Sequence, residues 1–512
     1  WLKLFADEGR EGGAAMFCVG DDDQSIYRFR GAEVGNMRDF EREFRVQNVI
    51  RLEQNYRSHA NILDAANAII LHNSNRLGKN LWTDQGAGEP IRVFEAYADA
   101  DEARWIVEEI QSLVREGGLR SEVALLYRSN AQSRVLEHQL FAAGIPYRVY
   151  GGLRFFERQE IKHALAYLRL IANPDDDTSF ARVVNFPTRG IGARSLEVLG
   201  DAARTYNTSL YATVPHLSGK PGSALAVFVR LVEDLRRDTA GLPLPELVDH
   251  VLDLSGLRAH YRADKEGRER LENLDELINA AANFLAEAQA QSGEALAQPH
   301  ALLADFLAHA SLEAGDHQAD QGADAVQLMT VHSAKGLEFD VVFLSGLEEG
   351  LFPHENSILE QDGLEEERRL MYVAVTRARE RLYLSFAQSR MLHGQTRYNL
   401  RSRFLEEIPS GLTKWLTPPN PRSAVGGAMG GMGGGYFRPS ASSAQQVQRA
   451  PRPAFATLPG GLRIGQAVAH AKFGQGVIVA AEGSGSDAKV QINFGPAGVK
   501  WLLLGVAKLD PV

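Results

Sequence analysis

The sequence predicts an α/β protein with a parallel sheet, interrupted by a helical insertion and followed by a small β-barrel. Three observations carry this prediction. Short apolar runs alternate with helix-like stretches from Met16 to about Ala98 and resume after Asp324. Between Gly152 and Asp324 the character is helical, with few convincing strands. Finally, several short strand signals crowd into the C-terminal end after Gly461.

In chain order, Met16 to Gly20, Val49 to Leu52 and Ile91 to Phe94 read as strands, with Ser58 to Ile70 a helix between the last two. Val123 to Tyr127 is a further strand, and Ala131 to Ala143 its following helix. Ser223 to Leu235 and Arg268 to Ala288 typify the helical region. Strand signals return at Val326 to Val331, Asp340 to Leu344 and Arg381 to Phe386, so one sheet unit is split around the helices. Residues 417–461 are rich in Gly, Ser and Pro, including Gly426 to Gly435, and read as a flexible linker. Beyond them Val477 to Ala480 is apolar, Gly483 to Asp487 and Gly495-Pro496 are turns, Val490, Ile492 and Phe494 alternate, and Val499 to Leu504 closes the pattern.

Composition narrows the function. With 512 residues, 44% of them hydrophobic, the chain can bury several cores. No apolar run approaches the ~20 residues needed to span a bilayer, and no signal-peptide series opens the chain, so a cytoplasmic location is expected. Cys18 is the single cysteine, which excludes an internal disulfide; its neighbours Met16, Phe17 and Val19 predict a buried structural thiol. A net charge of −10 does not point to nucleic acid, but a local basic groove can sit on an acidic protein.

Four stretches carry chemistry. Val19-Gly20-Asp21-Asp22-Asp23-Gln24-Ser25-Ile26-Tyr27-Arg28-Phe29-Arg30-Gly31-Ala32 follows an apolar run, where open α/β sheets bind ligands. Its aspartates alone fit a turn and helix cap. Tyr27 and Phe29 alternating with Arg28 and Arg30 suit stacked bases and phosphates. Leu52-Glu53-Gln54-Asn55-Tyr56-Arg57-Ser58 sets an aromatic ring beside an arginine, with Ser58 a candidate N-cap. Thr330-Val331-His332-Ser333-Ala334-Lys335-Gly336-Leu337-Glu338-Phe339 offers a carboxylate at a strand boundary, suited to a ribose hydroxyl. In the run Glu365 to Arg379, Asp362 and Glu365 have capping-box spacing, while Leu370, Val373, Ala374 and Arg377 share one helical stripe. An arginine on a core-facing stripe calls for an anion, either an internal carboxylate or a transferring phosphate.

Together these stretches resemble, in order and spacing, motifs III to VI of the UvrD/PcrA/Rep family of superfamily 1 helicases. The likeness covers nearly the whole chain, through GDDDQSIYRFRGA, LEQNYRS, TVHSAKGLEF and RRLMYVAVTRA. It implies RecA-like motor domains, ATP and Mg²⁺ as cofactors, and 3′-to-5′ unwinding of DNA in repair or replication. By position, Gln24 would sense the γ-phosphate, Tyr56 stack on adenine, Glu338 hold the ribose, and Arg57 and Arg377 act as arginine fingers. Tyr27, Phe29, Arg30, Arg128, Asn130, His332 and His354 would line the single-strand path. Phe29 stands where the family often has tryptophan. Thr188-Arg189-Gly190-Ile191-Gly192 resembles the family's duplex-contacting turn, so Gly190, Ile191 and Gly192 are candidate contacts.

The resemblance divides the chain into the end of a first RecA-like domain (1–57), a second one in two parts (58–152 and 325–416), the helical insertion (153–324), the linker (417–461) and a Tudor/SH3-like barrel (462–512). In some family members such a tail contacts RNA polymerase, so RNA polymerase or repair proteins join single-stranded and duplex DNA as expected partners. No G-x-x-x-x-G-K-[ST] loop occurs, and no strand ending in Asp-Glu precedes the first motif. In the family both lie upstream, so most Mg²⁺ ligands are expected outside this chain. With Trp1 opening the sequence, a fragment is the simplest expectation and a natural deletion the alternative; either would leave the chain inactive alone. A non-catalytic DNA- or polymerase-binding module is the competing function. A helicase-nuclease ranks below both, because a glycine linker and barrel stand where a nuclease would.

Overall fold

The computed structural model describes residues 17–28, 31–33, 35–46, 48–74, 76–264, 267–292, 299–315, 322–392, 395–417, 462, 466–470, 474–482, 489–494, 499–504 and 509–511. The main sheet uses β1 (Ile91–Ala98), β2 (Val123–Tyr127), β3 (Tyr147–Val149), β4 (Val326–Thr330), β5 (Phe339–Leu344), β6 (Ala378–Leu392), β7 (Gln395–Tyr398) and β8 (Thr413–Trp415). Across the sheet the order is β3, β4, β2, β5, β6, β1, β8, with parallel neighbours throughout and β7 folded back antiparallel on β6.

Strand β2 is buried along its whole length, as a central parallel strand covered on both faces must be. Its alternate residues enter different cores. Ala124 and Leu126 pack with Met329, Val342 and Leu344, whereas Val123, Leu125 and Tyr127 pack with Leu328, Phe343 and Tyr383. Helices Ala60–Ile70 and Gly363–Val375 cover the first face; Asp99–Arg115 and Ser133–Ala142 cover the second. Asp99–Arg115 carries Asp99, Asp101 and Glu102 in its first turn and Arg115 in its last, complementing the helix dipole at both ends.

Between β3 and β4 the chain builds a helical unit, from Gln159–Ala172 to Pro299–Gly315. Its buried core draws only on residues between Phe155 and Ala310, with Phe180, Phe228 and Phe306 among its largest members. At the C-terminal end, β9 (Ala467–His470), β10 (Gly474–Glu482), β11 (Lys489–Asn493), β12 (Val499–Leu503) and β13 (Leu509–Pro511) form an antiparallel sheet ordered β12, β11, β10, β9, β13. Val490, Ile492 and Phe494 all point into its core. Among the described residues no helix is long and apolar enough to cross a membrane.

Several local expectations fail for identifiable reasons. Phe17 to Gly20 and Val49 to Leu52 are not strands, and Cys18 is exposed, not buried. Phe17, Val19, Ile50 and Leu52 are exposed as well. Apolar residues form a strand only beside a ladder partner, and these segments have none among the described residues. Ser58 is not an N-cap: the helix starts at Ala60 behind His59, and the buried Ser58 hydroxyl donates to the Ala378 carbonyl at 2.6 Å. Asp362 does precede the helix Gly363–Val375 but makes no side-chain cap, lying at φ 59°. Its expected partner Glu365 instead accepts from the Ser74 amide and hydroxyl. Thr417 is still tied to Glu95 of β1; the rest of the expected linker, the turns Gly483 to Asp487 and Gly495-Pro496, and Met16 lie outside the described residues.

A buried ion network locks the second face. Arg390 on β6 pairs with Glu348, at 2.7 Å, and with Glu102. Glu348 also accepts from the Ala387 amide and Asn399, and Glu102 from the Gly346 amide and Ser385. Removing one partner from a fully bonded buried network strands the other charges, a loss of about 3–5 kcal/mol. Arg390→Ala is therefore expected to lower denaturant stability by about that much. Arg381→Ala, which breaks half-exposed pairs to Glu89 and Glu116, should lower it by less than about 1 kcal/mol. Similar losses for the two variants would refute the assignment.

Candidate functional site

The candidate residues gather at two ends of the main sheet. At the amino ends of β5 and β6, the side chain of Asn55 accepts from the Arg57 and Ser58 amides, at 2.8 and 2.9 Å, and so turns the chain sharply. The Ser58 hydroxyl and the His59 amide then bind the Ala378 and Arg379 carbonyls at the start of β6. This stitching aims Arg57 at Glu338, which it pairs with, and at the Thr376 carbonyl. Arg379 occupies the other oxygen of Glu338 at 2.8 Å, and Arg379 followed by Arg57 holds that carboxyl below its ordinary range. The ring of Tyr56 is 75% exposed, although its backbone carbonyl is fixed by Gln85 and its hydroxyl donates to Gln54.

Arg377 lies just past the helix Gly363–Val375 and is 2% exposed. Its guanidinium donates to the Val373 carbonyl, the Leu337 carbonyl and the Thr376 hydroxyl at 2.9 to 3.1 Å. All three acceptors are neutral, and no carboxylate pairs with it among the described residues. Burial, and then the neighbouring charge of Arg57, push its pKa down to about 10. The other arginines of this stretch are paired: Arg368 with Glu407, Arg369 with Glu365, and Arg379 with Glu338, Asp340 and Glu122. Of the two anions that the sequence leaves open for Arg377, no internal carboxylate bonds to it among the described residues, although Glu338 and Asp21 act on it from farther away.

The loop between β4 and β5 runs from the carboxyl end of the sheet to its amino end and carries His332, Lys335 and Glu338. Segment 21–28 docks on it: Lys335 donates to the Gln24 carbonyl at 2.8 Å and lies over the Tyr27 ring, while the Tyr27 hydroxyl reaches the His332 carbonyl at 3.4 Å. The Gln24 amide side chain donates to Asp21. Phe29 and Arg30 lie outside the described residues.

At the carboxyl end, Arg128 follows β2 and makes a two-pronged pair with the buried Glu367. The His354 amide donates to the same carboxylate, and its ring meets Arg268 and Glu272; burial, then Arg128, pull its pKa down. Asn130 binds Glu269, and Ser129 binds Glu272. The helix Gly267–Ser292 thus lays acidic side chains against this cluster. Gly190, Ile191 and Gly192 stand apart in the helical unit. Gly190 takes φ 74°, Ile191 is buried, and the side chain of Asn185 accepts from the Arg189 and Ile191 amides. Gly192 is the N-cap of the helix Ala193–Tyr206.

Residues 50–389 match the UvrD-like helicase C-terminal domain, residues 1–45 the UvrD/REP helicase N-terminal domain and residues 464–511 the PcrA/UvrD tudor domain. The chain is 46% identical to DNA helicase II of Escherichia coli, an alignment covering 100% of this chain and 68% of that protein. It is 44% identical to DNA helicase II of Haemophilus influenzae, over 100% of this chain and 67% of that protein. With the ATP-dependent DNA helicase PcrA of Bacillus subtilis it shares 41% identity, over 96% of this chain and 66% of that protein.

Four positioning residues escape a reading by motif. Lys335 and Arg379 lie inside quoted motifs without a role. Arg76 and Lys79 lie outside every motif, yet Arg76 grips the buried Asp23 through two 2.7 Å bonds and Lys79 pairs with Asp21. The Leu77 amide donates to Asp22. The three aspartates are therefore already bonded to groups of this chain. Arg76→Ala should strand Asp23 and loosen segment 21–28 by about 3 kcal/mol, or about a hundredfold faster limited proteolysis there. Unchanged cleavage would show that Arg76 does not hold the segment.

Proposed function

The chain belongs to the UvrD/PcrA family of DNA helicases, and from that premise we propose that it supplies the arginine-bearing wall of an ATP site, and part of a DNA path, in a 3′-to-5′ helicase of repair or replication. One observation carries the reading. Arg377 is a buried cation with no carboxylate bonded to it among the described residues, beside a second cation, Arg57. Such a pair is costly by itself and is relieved by an anion of several charges.

ATP, when bound, supplies a transferable γ-phosphoryl group and a base and ribose to be held. On this reading the exposed Tyr56 ring stacks on the base, and Glu338 accepts from the ribose by yielding one of the two arginines that now share it. Arg57 and Arg377 meet the charge that develops as the phosphoryl group departs. Gln24 registers its presence through a carbonyl already tied to Lys335, which also covers Tyr27. Single-stranded DNA lies against Tyr27, Phe29, Arg30, His332, Arg128, Asn130 and His354, and the Gly190 to Gly192 turn meets duplex.

We assign residues 1–57 to a first RecA-like domain, 58–152 and 325–416 to a second, 153–324 to the helical insertion, 417–461 to a linker and 462–512 to the tudor-type barrel, which suits a protein partner. A purely binding role is less well supported, because it offers no anion to the Arg57 and Arg377 pair. The sequence holds no G-x-x-x-x-G-K-[ST] loop, so the chain alone is expected to show no DNA-stimulated ATPase; measurable turnover would refute this. In a protein that joins this chain to such a loop, Arg377→Ala should lower kcat for ATP by about 10³-fold or more. Single-strand affinity, followed by fluorescence anisotropy, should stay within about twofold. Equal loss of both would count against the finger role.

A further inference from the structure

We propose a divalent transition-metal site, of the zinc class, formed by His138, His309 and Glu313 where the helical unit meets the sheet unit. His138 lies on the helix Ser133–Ala142, which covers the sheet; His309 and Glu313 lie on Pro299–Gly315 of the helical unit. The last two are four residues apart, so they share one helix face. Their ligand atoms and that of His138 lie within 4.8 Å of one another. One oxygen of Glu313 is 2.7 Å from His138 Nδ1 and 2.9 Å from His309 Nε2. Ligands around a tetrahedral zinc, with bonds of about 2.0–2.1 Å, stand roughly 3.3 Å apart. The two separations from Glu313 would widen by about 0.6 and 0.4 Å to admit the ion.

The surroundings fit a metal centre as well. Two imidazoles and a carboxylate are a set that zinc accepts while keeping a fourth position for water. The other ring nitrogen of His138 faces Glu287 at 3.8 Å, the outer carboxylate that commonly orients a metal-bound histidine. The cluster opens onto a cavity of about 160 Å³ lined also by Arg134, Asn283 and Phe284. His138 and His309 are partly exposed, which leaves a way in. Charge balances too, since Glu313 and Glu287 offset a dication while Arg134 is neutralised by Glu276. The ion would join the two units through ligands from both.

The test uses the whole chain with Cys18→Ser, which removes its one thiol, stripped of metal and titrated with Zn²⁺ by calorimetry and with Co²⁺ by visible absorption. One equivalent of each should bind, with the Co²⁺ spectrum of a four-coordinate site, and Zn²⁺ should raise Tm reversibly to chelator. His138→Gln and His309→Gln, chosen to keep volume and folding, should each abolish the stoichiometric event, and Glu287→Gln should weaken it by about tenfold. Absence of a one-equivalent event in the parent chain would overturn the site. So would its persistence in either glutamine variant with an unchanged far-UV circular dichroism spectrum, since the remaining histidines would then be the ligands.

Discussion

The buried charge of Arg377 is the constraint from which the amino end of the sheet takes its form. A guanidinium removed from water must find acceptors, and here they come from separate pieces of chain: the last turn of one helix, the loop leading into β5, and the adjacent threonine. The carbonyl end of that helix also carries the negative pole of its dipole, which offsets part of the cost. Each acceptor is consequently fixed in position by the need to satisfy one cation. Arg57 adds like charge beside it, and Glu338, held by Arg57 and Arg379 together, keeps those two arginines from spreading into solvent.

From this end the loop between β4 and β5 reaches across to the other. It carries the Leu337 carbonyl and Glu338 at one extremity and His332 at the other, and segment 21–28 lies along it through Lys335 and Tyr27. On the proposed reading, chemistry at the arginines and contact with a DNA strand act on a single piece of chain. The carboxyl end adds a second relation: Arg128, Asn130 and His354 are engaged by Glu367, Glu269 and Glu272. On the same reading, a phosphate backbone arriving there would compete with these carboxylates, of which Glu269 and Glu272 lie on the helix Gly267–Ser292.

Much of the architecture was legible because it rests on short-range pattern. Val123 to Tyr127 and Val341 to Leu344 are apolar throughout, as doubly covered parallel strands must be, and the alternation of Val490, Ile492 and Phe494 is a one-sided sheet. Arg377 shows where pattern stops. Helical spacing faces it toward the core, and it is buried, but beyond the helix end and among neutral acceptors that no spacing announces. Ser58 and Glu365 have the local signature of caps, yet their hydroxyl and carboxylate are taken by Ala378 and Ser74, hundreds of residues away in sequence. Cys18 misleads in the opposite sense, since apolar neighbours imply burial only when something packs on them. The triad of Glu102, Glu348 and Arg390 has no local signature at all.

The order of strands has a consequence for how the chain is made. Strand β2 sits between β4 and β5, and β1 between β6 and β8, so each early strand waits for neighbours that lie beyond the entire helical unit. At synthesis rates of about 5–20 residues per second that delay is on the order of tens of seconds. During it the apolar ribbons of β1 and β2 leave the ribosome without their flanking strands. The helical unit, whose buried core borrows nothing from the sheet, can fold in the meantime. A nascent chain of this topology therefore emerges as a finished middle flanked by an unfinished rim, and chaperone binding during synthesis has its natural target in the stretch from Ile91 to Tyr127.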